Sequence, residues 1–135
     1  MLYEFLPHTA DVKFRAYGKS LEEAFSNAAL ALTSIIVEPE KVEGKVEKVI
    51  EVSAEDDKAL LYDFLEQFLV LLDTDEFVMH EVKEISIEDL KLKAKVTGDN
   101  VNNYKPETHI KAITYQEMEI QEEDGKFMVQ VVPDL

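Results

Sequence analysis

The sequence predicts an α+β fold in which antiparallel sheets pack on two helices, in the order ββαβα and then four strands. Three observations lead there. Residues 20–37 and 56–73 repeat apolar side chains at helical spacing. The segments around them alternate apolar and polar residues with period two. Asp124-Gly125 is a tight-hairpin signal late in the chain.

Residues 2–6 and 12–17 read as two short strands, with Pro7 and a turn at 8–11 between them. Val12, Phe14 and Ala16 alternate with Lys13, Arg15 and Tyr17, as on a half-buried strand. Ser20 and Glu23 then have capping-box spacing, so a helix starts there. Leu21, Ala24, Phe25, Ala28, Leu32, Ile35 and Ile36 share its apolar face, and Val37-Glu38-Pro39 stops it.

Residues 42–53 alternate again, with Val42, Val46, Ile50 and Val52 on one side and Glu47 and Glu51 on the other. The second helix is capped by Ser53 or Asp56. Leu60, Leu61, Phe64, Leu65, Phe68, Leu69 and Leu72 build a broad stripe that suits burial between two layers. Residues 77–87 and 88–97 follow as strands. Leu90, Leu92, Ala94 and Val96 face inward, and Lys91, Lys93 and Lys95 form a basic row outward, which reads as a solvated face. A polar loop at 98–106 leads to the last strands, 109–120 and 126–132.

The chain has 135 residues, which fits one domain over residues 1–135, and it is 46% hydrophobic, enough for a substantial core. It contains no cysteine, which excludes disulfides, thiolate zinc sites and cysteine nucleophiles. Asp and Glu number 29 against 14 Lys and Arg, a formal net charge of -15. Such a chain is a poor general binder of nucleic acid, where phosphate neutralisation dominates affinity. It suits a basic protein partner, and it also suits plain solubility. No basic stretch precedes an apolar run near the start, and no apolar stretch is long enough to span a bilayer. The expectation is a cytoplasmic, soluble protein without a membrane partner.

The chemistry concentrates at the two ends. Asp11 opens the second strand; Asp134 and Leu135 follow the last one. Asp before a strand is an ordinary turn residue. If the terminal strands lie together, however, Asp11, Asp134 and the Leu135 main-chain carboxylate form a cluster of oxygen anions. Oxygen-only ligands suit a hard divalent cation, calcium best, with manganese or magnesium as alternatives. Of His8, His80 and His109, only His8 lies close to that site, three residues from Asp11. On a strand, Lys111, Ile113 and Tyr115 share one face. Lys111 is then either surface decoration or a positioned cation beside the acidic site. There is no Gly-rich phosphate loop, no Gly-x-Ser-x-Gly elbow and no His-Glu-x-x-His.

Four blocks together resemble archease, and the similarity runs essentially end to end. They are Tyr-Glu-Phe-Leu-Pro-His-Thr-Ala-Asp-Val-Lys-Phe-Arg-Ala-Tyr-Gly at 3–18, Ser-Leu-Glu-Glu-Ala-Phe at 20–25, Lys-Ala-Ile-Thr-Tyr at 111–115 and Val-Val-Pro-Asp-Leu at 131–135. The resemblance implies an α+β fold and a non-catalytic accessory role. Archeases assist the RtcB-type RNA ligase of tRNA splicing, which joins exon halves bearing a 2′,3′-cyclic or 3′-phosphate to a 5′-hydroxyl. They promote its guanylylation and multiple turnover and broaden its nucleotide use. The family's metal site falls on Asp11, Asp134 and Leu135. Lys111 matches a position associated with activation, and His8, Thr9 and Tyr115 lie in the same motifs. Two departures stand out: Pro7 replaces a frequent acidic residue, and Gln116 replaces a frequent histidine. Two other functions compete: an acidic chaperone for RNA-modifying proteins such as tRNA methyltransferases, and a small metal-dependent hydrolase.

Overall fold

Seven strands and two α-helices follow one another as β1 (Tyr3–Leu6), β2 (Lys13–Gly18), α1 (Leu21–Ile36), β3 (Val46–Ser53), α2 (Asp57–Asp75), β4 (Phe77–Glu88), β5 (Lys91–Asn100), β6 (Glu119–Glu123) and β7 (Lys126–Val131). The computed structural model describes residues 1–7 and 12–135. The strands form two antiparallel sheets, one ordered β1-β2-β7-β6 and the other β3-β5-β4. The fold is α+β, in the expected order.

Both helices begin where their side chains satisfy free backbone donors. Ser20 Oγ accepts from the Glu23 N–H at 3.1 Å, and the Glu23 carboxylate accepts from the Lys19 N–H, one residue earlier than a standard capping box. Asp56, not Ser53, caps α2, accepting from the Ala59 N–H at 2.8 Å. Helix α1 ends at Ile36, and Pro39 opens a short 3-10 turn. The Val42 N–H donates to the Pro39 carbonyl in that turn. This is why the expected strand at 42–53 begins only at Val46. Val46 itself is 43% exposed at the strand's start, whereas Ile50 is buried as expected.

The core is one contiguous cluster fed by both helices and both sheets. Phe14 and Ala16 on β2 and Val129 and Val131 on β7 bury one face of the four-stranded sheet. Leu92, Ala94 and Val96 do the same for the other sheet. Phe25 of α1 and Phe64 of α2 stack between the layers, with ring centroids 6.0 Å apart. Fully burying a side chain of this size contributes about 1.5–3 kcal/mol.

Three boundaries differ from the sequence expectation. Strand β5 continues through Gly98 and Asp99 to Asn100, so the polar loop starts later, with a 3-10 turn at Val101–Asn103. Its extension is held by the buried Asp99 carboxylate. That group accepts from the Asn100 N–H at 2.8 Å, Tyr104 Oη at 2.8 Å and Asn103 Nδ2 at 3.2 Å. The Asp89-Leu90 pair, both at positive φ, makes the β4–β5 turn, which removes Leu90 from the inward row. Finally, residues 109–118 are not a strand; only Ala112 makes an isolated bridge, and the ladder resumes at Glu119. The β6–β7 turn is the expected Asp124-Gly125, with φ of 53° and 74°.

Candidate metal and partner site

Strand β2 begins where β7 ends: the pairing runs from Phe14 with Val131 to Gly18 with Phe127. The start of the second strand and the end of the last one therefore lie side by side, as the site requires. Asp11, His8 and Thr9 fall outside the described residues.

Beyond β7 the chain stays tied down. Val132 and Pro133 are buried, and Asp134 bridges Ala112. The Asp134 carbonyl accepts from the Lys111 N–H at 2.8 Å and the Ala112 N–H at 3.3 Å. The Asp134 N–H donates to the Ala112 carbonyl at 2.8 Å. Thr114 Oγ1 adds a bond to the Val132 carbonyl at 2.6 Å. Leu135 packs its side chain against the core. These contacts bring Lys111 and Asp134, two predicted site residues, onto adjacent backbone. Both side chains are exposed, and neither makes an ion pair among the described residues.

Tyr115, the third described motif residue, does not share a face with Ile113. Ile113 is buried, whereas Tyr115 is 55% exposed. The Thr114 hydroxyl accepts from the Gln116 N–H, the Met118 N–H donates to the Tyr115 carbonyl, and Glu117 adopts a φ of 52°. These local bonds compete with a strand ladder and turn the chain. Tyr115 consequently lies flat on Tyr62 of α2, with ring centroids 4.4 Å apart and planes 14° from parallel. Partial burial first, then the Asp63, Asp56, Tyr62 and Glu66 groups, push the Tyr115 hydroxyl above its ordinary pKa.

Next to this edge, Lys13 of β2 pairs with Glu117 at 3.3 Å. Arg15 Nε donates to Gln130 Oε1 at 2.9 Å, and Gln130 Nε2 donates to the Glu117 carbonyl at 2.7 Å. The buried Gln130 thus pins the 115–118 turn to the sheet. Neither Gln130 nor Tyr62 was marked by any local pattern, because their partners are remote in sequence.

The lysine row is a different matter. Lys93 lies 3.7 Å from Glu51 and Lys95 lies 3.8 Å from Glu84, each on a neighbouring strand. Two of its three lysines are paired within their own sheet, as on a solvated face. His80 Nδ1 lies 3.0 Å from the Pro39 carbonyl, and His109 is exposed. Among the described residues no group of three or more His, Cys, Asp or Glu side chains is placed to hold a metal. The expected ligand set depends on Asp11.

Fold and edge together define a small α+β protein whose second and last strands pair beside an exposed carboxylate and an exposed lysine. The Archease protein family (MTH1598/TM1083) matches residues 3–135. The archease of Thermococcus kodakarensis is 45% identical over 98% of both chains, and that of Pyrococcus abyssi is 44% identical over the same shares. The solution structure of Methanobacterium thermoautotrophicum protein 1598 superposes with a TM-score of 0.82 at 35% identity, covering 99% of each chain. An archease from Thermotoga maritima, described as a possible chaperone, shares the fold with a TM-score of 0.65 at 23% identity, over 96% of this chain and 94% of its own. The chain belongs to the archease family. Among the described residues no helix is long and apolar enough to cross a membrane.

Proposed function

We propose that this chain is a non-catalytic, cytoplasmic activator of an RtcB-type tRNA-splicing RNA ligase, promoting its guanylylation, multiple turnover and broader nucleotide use. Membership of the archease family supports the reading. The observation that carries it is the Ala112–Asp134 bridge, which sets Lys111 and Asp134 side by side, exposed and, among the described residues, without ion pairs.

The described donors fit a hard divalent cation. Asp134 offers a carboxylate with no ion pair among the described residues, and the Leu135 side chain packs against the core, which ties down the chain beside it. Asp11, Asp134 and Leu135 would hold the ion, calcium first, with manganese or magnesium also suited. Bound there, it would neutralise the carboxylates and offer a positive centre to phosphate oxygens. Lys111 supplies a second, fixed positive charge at the same edge. His8, Thr9 and Tyr115 would line the approach to the ligase. The net charge of -15 favours encounter with a basic cleft and disfavours direct RNA binding.

The test is a ligation assay with the cognate ligase in limiting amount, following the guanylylated intermediate. Asp11→Ala, Asp134→Ala and Lys111→Ala should each abolish stimulation of multiple turnover while retaining the fold. Undiminished stimulation by the Asp134 and Lys111 variants would overturn the proposal. The competing chaperone role draws on the acidic surface alone; it requires stoichiometric protein, whereas an activator works at substoichiometric amounts. Turnover of phosphate esters by the isolated chain would instead support a hydrolase.

A further inference from the structure

The stacked tyrosines leave one aromatic face open. Tyr62 stacks on one side of the Tyr115 ring, and Tyr115 is still 55% exposed. The face of an aromatic ring carries negative potential and attracts cations. Asp63 and Glu66 follow Tyr62 by one and four residues on α2, on the side of the helix that meets the ring, and with Asp56 at the helix start their charge raises the pKa of the Tyr115 hydroxyl after partial burial. None of those three carboxylates makes an ion pair with a described residue. The chain thus places an exposed ring and nearby carboxylates together, and no described cation forms an ion pair with them. Elsewhere the molecule does the reverse, pairing Lys13, Lys48, Lys93 and Lys95 with nearby carboxylates.

We infer that the open face of the Tyr62–Tyr115 stack is a docking point for an arginine side chain of a protein partner. A guanidinium is planar, stacks on an aromatic face and donates to carboxylates in its own plane at the same time. A lysine ammonium satisfies the charge but cannot stack, and a nucleic-acid base can stack but brings phosphates toward the carboxylates. The point lies on the 111–118 segment that carries Lys111, so it adds a specific anchor to the edge assigned to the ligase. In that respect it rests on the activator reading, and it deepens it.

The primary experiment needs no ligase. Hexa-arginine and hexa-lysine peptides are titrated into the full-length protein, and the Tyr62 and Tyr115 ring resonances are followed by NMR. Hexa-arginine should shift these rings and bind about tenfold more tightly than hexa-lysine. Tyr115→Ala should remove the difference, and Tyr115→Phe, which keeps the ring, should retain it. Equal binding of the two peptides, or an undiminished preference in Tyr115→Ala, overturns the inference, as does a stronger ring shift with an oligonucleotide. Thermal melts of both variants check that the fold is kept. Affinity for the RtcB-type ligase is then measured with the same variants. Tyr115→Ala should weaken it about tenfold, and an affinity equal to that of the wild type overturns the inference. A ligase that does not bind wild-type protein at all defeats the activator reading and leaves the peptide result standing.

Discussion

The two sheets handle charge in opposite ways. The three-stranded sheet faces water with lysines on its central strand and glutamates on both neighbours, and Lys93 and Lys95 each pair with one of them. Beside the four-stranded sheet, past the end of β7, Lys111 and Asp134 lie on adjacent backbone with no ion pair among the described residues. On the proposed reading, what marks the functional edge is not charge density but opposite charges held side by side on fixed backbone without an ion pair. Surface pairs of the first kind are individually worth about 0–1 kcal/mol. Unpaired groups held on fixed backbone are poised for something else to bind.

Substitutions can break that contrast, and the largest effect belongs to Asp134→Asn. It should lower stimulation of multiple-turnover ligation at least about tenfold while leaving the thermal midpoint nearly unchanged, as assay and melt together would read. Gly98→Ala should do the opposite. A Cβ there would lie 2.0 Å from the Val78 carbonyl and 2.7 Å from the Phe77 ring. Overpacking of this kind costs about 1–3 kcal/mol in a denaturant titration, with stimulation retained in the folded fraction.

Asp99→Asn comes next. The Tyr104 hydroxyl, followed by the Asn100 N–H, Asn103 and Lys45, holds the Asp99 carboxyl below its ordinary pKa. A carboxyl depressed in the folded state stabilises the fold above its unfolded pKa, and that contribution is lost as pH falls through the folded value. The wild-type midpoint should therefore drop more steeply below about pH 4 than that of Asp99→Asn, which starts lower at neutral pH. The smallest effect should be Lys93→Ala, within about 0.5 kcal/mol in stability and without consequence for ligation.

Much of this architecture was legible in the residues. Ser20, Glu23 and Asp56 mark helix starts because capping is local, and Asp124-Gly125 marks its hairpin for the same reason. The helix stripes of Phe25 and Phe64 point to the core because period and burial coincide. Residues 109–118 misled, since their alternation reads as a strand. The Thr114 hydroxyl instead takes the Val132 carbonyl and the Gln116 N–H, and the ladder is lost after one bridge. Asp99 hid inside an apparent polar loop, because its partners are Tyr104, folded back from the same loop, and Lys45 from a remote segment. At the site, Lys111 and Asp134 were picked from sequence and are neighbours in space. The Tyr62 partner of Tyr115 was not picked, for stacking across two distant segments leaves no local trace.

The central claim is that unpaired charge at the β2–β7 edge, and not charge in general, carries the activity. It is tested most directly by one multiple-turnover ligation series with limiting RtcB-type ligase, comparing Lys111→Ala with Lys93→Ala. The account predicts that stimulation disappears in the first and persists in the second. Equal stimulation by both lysine variants would contradict it.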